Sequence, residues 1–437
     1  MNSQFNPMKQ AIVFDGNELK DNAPILRTQD VRCLLRGSNS DGSDASVPLS
    51  DDLLSKHMLF IGGIGMGKTN GIFQVIAQLR NRMTDDDVML IFDTKGDYYK
   101  EFFRPGDIVI SNDDKATGIN GSDYWNIFEE ISSGPFVEED IIEIARALFY
   151  ERSLQSNQPF FPNAARDLFT GLMLHFQRAE VHASNLFLRR FLDGATAATI
   201  RSVLEQHDDL RAINSYIDDD RSPQTQGVIS ELQQHIREIF VGNFRKEGSL
   251  SIRKSIKAKG GRAIFVEYDL GIGSMLTPIY RLIIDMAIKE ALSRSKSEGN
   301  VWFIIDEFRL IPHLQHIDDG VNFGRSLGAK FIIGVQNVEQ VFYAYGEALA
   351  QSILSGLLTT VAFHVNDART RSFIQGLFGK NRKKEVYMAS VSSRGIVEQV
   401  RDSNVVEDWD ISRLGVGEAI IGLPGCEPFR FKFSKYH

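Results

Sequence analysis

Two kinds of hydrophobic pattern alternate along most of this chain. Short, nearly continuous apolar runs occur at Val88–Phe92, Asp107–Ile110, Ala263–Glu267, Val301–Ile305, Lys330–Val335, Thr360–Val365 and Glu418–Ile421. Rich in β-branched and aromatic residues, they read as strands buried on both faces of a parallel sheet. Helical periodicity fills the intervals, for example Leu276–Ser293, Asp318–Leu327 and Leu349–Leu358. The alternation predicts an α/β fold, a core with a mostly parallel, doubly wound sheet, and a ligand at the carboxyl ends of the strands.

One long segment breaks the rhythm. From about Glu138 to Phe240 the pattern is helical, at Ile141–Tyr150, Phe161–Arg178, Ala183–Leu192, Thr196–Gln206 and Gln224–Phe240, with Pro159, Pro162, Gly194 and Pro223 as punctuation. It reads as an all-α domain inserted into the core. The expected organisation is therefore residues 1–50 as a strand or hairpin and a flexible loop packed on the core, 51–137 as the first part of a nucleotide-binding domain, 138–240 as the insert, and 241–437 as the second part. In the first segment Ala11–Gly16 suggests a short hairpin, and the Gly/Ser/Asp-rich stretch Gly37–Val47 a loop.

Chemistry enters at Gly62-Gly63-Ile64-Gly65-Met66-Gly67-Lys68-Thr69, which fits the P-loop pattern G-x-x-x-x-G-K-[ST]. An apolar strand, His57–Ile61, leads into it, and a helix beginning at Asn70 leads away. Such a loop turns its N–H groups inward around a phosphate, with Lys68 reaching the outer phosphates and the Thr69 hydroxyl placed to ligate Mg²⁺. ATP and Mg²⁺ are the expected ligands, with Gly62 through Asn70 as the binding segment.

A second motif is Val301-Trp302-Phe303-Ile304-Ile305-Asp306-Glu307-Phe308. A buried strand delivers two carboxylates whose side chains leave in different directions, so their tasks can differ. Asp306 suits the metal shell beside Thr69, and Glu307 suits orienting and deprotonating water. Arg325 near the end of the following helix, and Gln336 at the tip of the next strand, could complete an ATPase set; as residues alone they read more readily as a surface arginine and a strand-end amide.

Net charge is −8, which excludes a uniformly basic surface and leaves room for a local basic channel. Two basic clusters are candidates: Arg245, Lys246, Arg253, Lys254, Lys257, Lys259 and Arg262, then Lys380, Arg382, Lys383 and Lys384. Either could hold phosphates or simply be a solvated loop. Asp85–Asp87 and Asp218–Asp220 read as solvated turns and caps. His313 and His316, with Asp318 and Asp319, lack the further ligand a zinc site needs. Only Cys33 and Cys426 occur, which argues for a reducing compartment. There is no signal-peptide pattern and no apolar run of about 20 residues. The expectation is a cytoplasmic protein, recruited to the inner face of the membrane where a partner tethers it.

The run from Asp306 through Arg325 and Gln336 to Asn366-Asp367 resembles the TraG/TraD-like coupling ATPases of conjugative type IV secretion, within the HerA/FtsK group of P-loop motors. Further likenesses are Phe92-Asp93-Thr94-Lys95-Gly96-Asp97, the opening Phe160–Leu168, Ile305-Asp306-Glu307-Phe308 and Gly415–Gly425. Tyr124-Trp125-Asn126-Ile127-Phe128 is similar to the family's W/Y-N-P element, with Ile127 where proline is usual.

The resemblance implies a RecA-like P-loop core and a hexameric ring that pumps DNA, single-stranded or relaxase-bound. It implies Arg325 as an arginine finger acting in trans, and Gln336 as the link between γ-phosphate and motor. Most such proteins begin with transmembrane helices, absent here, which suggests a soluble form docking on a membrane subunit. Met1 leading directly into a strand pattern argues for a chain that starts here. Two other functions stay open: a HerA-type translocase in genome processing or phage defence, and an ATP-gated receptor that binds a relaxase or effector through the insert.

Overall fold

The computed structural model describes residues 11–112, 123–179, 181–293, 299–388 and 396–436. The chain divides into two compact units. The first comprises Met1–Arg82, Ile304–Arg309 and Lys330–His437; the second comprises Met83–Phe303 and Leu310–Ala329.

In the first unit the strands lie in the order Asp44–Ser50, Val31–Ser38, Phe429–Phe433, Glu418–Gly422, Thr359–Phe363, Met58–Ile61 and Ala329–Val335. The last three are parallel, with Phe60 opposite both Val361 and Gly334. Every residue of all three strands is buried, which explains their unbroken apolar character. The remaining strands of the unit pair antiparallel.

The helix Lys68–Arg80 lies against Val31–Ser38. Gln74 and Gln78, one turn apart, accept from the N–H groups of Arg36 and Leu34 (2.8 and 2.9 Å) and donate to the same residues' carbonyls (3.1 and 2.8 Å). Only Gly37 and Ser38 of that strand pair with Phe429–Phe433, so the two amides satisfy strand backbone that the ladder leaves over.

Where residues 37–47 predict a loop, the chain instead makes the tip of a hairpin, with Ser43 and Asn39 closing the turn through a 2.9 Å hydrogen bond. The segment Ala11–Asp15 is one strand of a separate three-stranded sheet rather than a hairpin of its own, and pairs with Lys380–Met388, which pairs with Ile396–Asn404. The pairing of Ala11–Asp15 with Lys380–Met388 spans more than 350 residues, beyond the reach of any local pattern.

The second unit carries parallel strands in the order Val88–Asp93, Arg262–Glu267 and Ile108–Ile110. Its helices include Val137–Gln155, Phe160–Arg178, Asn185–Gly194, Ala197–Leu204, Pro223–Ile239, Ile252–Ala258, Gly273–Leu292 and Ile317–Leu327. Ser184, Thr196, Ser222 and Ser251 cap four of them, each hydroxyl accepting from an N–H of the first turn.

Tyr124–Phe128 clasps the two ends of this helical stretch. Asn126 N donates to Leu250 O (3.0 Å), Leu250 N to Tyr124 O (3.1 Å), and Asn126 Nδ2 to Gly248 O (3.0 Å). A Cβ at Gly248 would stand 1.9 Å from Tyr124 O, so glycine is required there. Ile127, in the place of the expected proline, donates its N–H to Asn185 Oδ1 at 2.9 Å, a bond proline could not make. Glu130, fully buried, accepts from Trp125 Nε1, Ser251 Oγ and the N–H groups of Ile252 and Arg253. Burial nevertheless pushes its carboxyl up to about 7.

Candidate nucleotide site

The P-loop hangs from two neighbouring strands. Gly62 N donates to Val335 O (3.0 Å) and Gly63 N to His364 O (2.8 Å), so the loop begins level with the carboxyl ends of the flanking strands. A Cβ on Gly62 would meet Phe363 Cβ at 2.6 Å. Gly67 starts the helix with φ of +115°, a conformation open to glycine, and its Cβ position faces Gly417 Cα at 3.2 Å. Gly417 in turn donates to Met66 O at 2.9 Å. Gly65 (φ +74°) meets nothing within 4 Å, and the neighbouring Ile64 is exposed.

Lys68 is buried and its Nζ donates to Gly62 O (2.6 Å) and Gly63 O (3.1 Å), inside the curve of the loop. Thr69 Oγ1 donates to Asp306 Oδ2 at 2.8 Å across 237 residues of sequence. Asp306 is buried, while Glu307 accepts from Gln336 Nε2 on one oxygen and from Arg309 Nε at 3.3 Å on the other. Lys68, Thr69, Asp306, Glu307 and Gln336 thus gather within the first unit.

Arg325 belongs to the second unit, where it is exposed on the helix Ile317–Leu327. The side chain of Asn70 is spent elsewhere, donating to Ser434 O (2.9 Å) and accepting from Tyr436 N (2.8 Å). Any part Asn70 takes with a phosphate therefore falls to its main chain at the helix opening.

Sequence reading missed two glycines. A Cβ at Gly334 would lie 2.2 Å from Asp306 O and 2.6 Å from Asp306 Oδ1, so the Asp306 position depends on a bare neighbour. At Gly417 the crowding falls on Gly67 instead, whose Cβ position meets Gly417 Cα at 3.2 Å, while a Cβ on Gly417 itself would meet only Phe433 O at 3.6 Å. An isolated glycine in a buried strand was the available signal for the first; the second lies in the Gly415–Gly425 likeness.

The Asp93 element folds as a strand-end turn in the second unit. Asp93 Oδ1 accepts from Lys95 N and Gly96 N (3.1 and 2.9 Å), and Oδ2 from Tyr99 N (2.9 Å). Parallel register puts Glu267 beside it, and burial with the Asp93 charge pushes Glu267 up to about 8.

The first basic cluster is partly absorbed by the fold. Arg253 pairs with Asp140 (2.7 Å) and Glu290 (3.2 Å), Lys254 pairs with Glu129, and Lys246 lies 4.6 Å from the Tyr124 ring centroid. In the second, Arg382 meets Asp402 (3.3 Å) and Lys383 meets Glu407 (3.7 Å). Tyr345 stacks on Phe308 within the first unit, whereas Tyr343 is exposed. Among the described residues no helix is long and apolar enough to cross a membrane.

A glycine-built loop between strand and helix, a buried lysine, and a threonine bonded to a strand-end aspartate define a protein of the P-loop ATPase class. The chain belongs to the family described as the type IV secretion-system coupling protein DNA-binding domain, whose model matches residues 43–423. It is 22% identical over 436 residues to the coupling protein TraD of Escherichia coli K12, covering 95% of this chain and 57% of TraD. The chain thus spans a little over half the length of that relative.

Solved structures share the fold. The unbound conjugative coupling protein TrwBdeltaN70 superposes with a TM-score of 0.74 at 20% identity, over 90% of this chain and 87% of its own. TrwB in complex with ADP and Mg²⁺ gives 0.68 at 20% identity, over 90% and 88%.

Proposed function

We propose that this chain hydrolyses ATP with Mg²⁺ as the motor of a conjugative coupling system, in a hexameric ring that recruits and pumps DNA, single-stranded or relaxase-bound. The observation that carries this reading is the joining of Thr69 to Asp306, and of Gln336 to Glu307, at the carboxyl ends of the strands Val301–Ile305 and Ala329–Val335. TrwB bound to ADP and Mg²⁺ on the same fold supports it.

Gly62 through Asn70 cradle the phosphates, and Lys68 leaves its loop carbonyls for the outer ones. The hard oxygens of Thr69 and Asp306 fit Mg²⁺, which takes one or two protein oxygens and keeps several waters. Bound there, the ion would neutralise charge on the phosphates. Glu307 accepts a proton from the attacking water, with Gln336 fixing the carboxylate and registering the γ-phosphate. Arg325, exposed on its helix, stabilises the transition-state charge at a neighbouring copy's nucleotide. Residues 138–240 serve as the all-α domain of the motor, whose work lies on the cytoplasmic side, where a membrane subunit or a relaxase recruits it.

ATP turnover measured against protein concentration tests the reading, with and without single- and double-stranded DNA and with Glu307→Gln as blank. Turnover rising faster than linearly with protein and climbing with DNA is expected. Slow turnover that is linear in protein and indifferent to DNA would overturn the ring motor.

A further inference from the structure

Between the helices Val137–Gln155 and Gly273–Leu292 runs a seam of charge, with Asp140, Arg281 and Asp285 buried and Glu143, Glu151 and Lys289 half-buried. Asp140, Glu143, Ala147, Tyr150 and Glu151 share one face of the first helix, and Arg281, Asp285 and Lys289, spaced by four, share one face of the second. Lys289 Nζ donates to Asp140 Oδ1 at 2.9 Å and also to Glu143. Arg281, 1% exposed, holds Glu151 through both carboxylate oxygens and donates to Ala147 O. The sequence shows these charges only as breaks in an apolar run.

The seam also grips a third element. Asp285, 1% exposed, accepts from Gln315 N (2.9 and 3.1 Å) and His316 N (3.2 Å), all main-chain donors of the segment before the helix Ile317–Leu327. His316 Nε2 meets Glu143 Oε1 at 2.5 Å, and the His313 ring, on backbone with φ of +62°, lies 4.7 Å from that of Tyr150. Side chains from Val137–Gln155 therefore hold both ends of residues 313–316. His316 occupies the N-cap position of the next helix, its carbonyl accepting from Gly320 N (2.8 Å), and Arg325 stands on that helix.

Burying so many charges is a poor way to stabilise a helix pair, because apolar side chains of similar volume do so as well or better. Charge pairs instead fix one register of one element on another, which is the better-attested use of buried polar groups.

We propose that Glu143 and His316, backed by Asp285 and Lys289, are positioning residues that set the start of the Arg325 helix from the helical insert, so that turnover at a neighbouring copy's nucleotide follows the insert's position. The inference rests on the reading of Arg325 as acting in trans. It names the insert's helix Val137–Gln155 as the element through which that site is regulated.

The test uses the full chain and compares Glu143→Gln, Arg325→Ala and the double variant at saturating protein. Each has its nucleotide affinity measured by a fluorescent ATP analogue and its cooperative melt checked. Glu143→Gln is expected to lower kcat about tenfold at unchanged nucleotide affinity, the upper part of the range for coupling residues. Arg325→Ala should lower it roughly a thousandfold, and the double variant should match Arg325→Ala, because one defect acts through the other. Should Glu143→Gln lose its cooperative melt, His316→Ala replaces it in the same cycle, since Asp285 still holds the backbone at 315 and 316.

Parental turnover in the Glu143 variant, or a double variant a further tenfold below Arg325→Ala, overturns the proposal while the reading of Arg325 stands. Parental turnover in Arg325→Ala removes that reading, and this inference with it.

Discussion

Around Lys68 the first unit shapes its site with main chain: four glycines in the loop, two strand-end carbonyls that suspend it, and two further glycines, 334 and 417, that leave room beside Asp306 and Gly67. Around Asp285 the second unit works with side chains, as charged groups up to 173 residues apart interlock at the helix interface. The first arrangement leaves no room for a Cβ at Gly62 or Gly334, where the nearest atoms stand 2.6 and 2.2 Å away. The second tolerates substitution at a cost in stability, because a neutral side chain can still pack. Steric demands are absolute over fractions of an ångström, whereas buried electrostatics trade desolvation against pairing.

Changes at the main-chain-built site should act on chemistry. Lys68→Ala or Glu307→Gln is expected to reduce ATP turnover by about 10² to 10⁴-fold, with the melting temperature of the parent; parental turnover in both would end the assignment of this site. Gly334→Ala comes next: its Cβ must displace Asp306, so turnover should fall by about tenfold or more and stability by about 1 to 3 kcal/mol, read by kinetics and urea denaturation.

The seam should respond the other way. Arg281→Leu leaves Glu151 without its buried partner, and urea denaturation is expected to show a loss of about 3 kcal/mol, while nucleotide affinity stays unchanged. A fall in affinity without a fall in stability would erase the contrast between the regions.

The smallest effect is in pH. Burial lowers the affinity of His316 for its proton, but the hydrogen bond and charge of Glu143, helped by Asp285 and opposed by Lys289, outweigh it and leave the imidazole above its ordinary range. A group raised on folding stabilises fully below its unfolded value, about 6.5, and that contribution fades as pH rises through the folded value. Glu130 and Glu267 are carboxyls raised to about 7 and about 8, so they too make stability fall with rising pH. The His316 part therefore appears as the difference between the parent and His316→Ala, present below neutrality and closing above it. A difference that grows with pH would reverse the sign argued here.

The alternation of buried strands and helices, the P-loop, and the Asp306-Glu307 pair were all legible because each is contiguous and has a period or spacing of its own. The strands Val31–Ser38, Phe429–Phe433 and Lys380–Met388 were not, since each also pairs with a strand far along the chain and their patterns are half polar. Arg253, which by sequence could hold a phosphate or sit in a solvated loop, instead pairs with Asp140 and Glu290. Asn70 looked like part of the nucleotide loop, but the chain's end takes its side chain.

By itself the sequence determined which segments must be buried, where a phosphate could be cradled, and which carboxylates stand at a strand end. These follow from local sterics and hydrophobic period. Only the tertiary structure decided that Thr69 meets Asp306, that Gly334 must stay bare, and that Asp285 and Glu143 hold the segment leading to Arg325. Those facts depend on distances between residues remote in sequence, which composition and spacing do not encode.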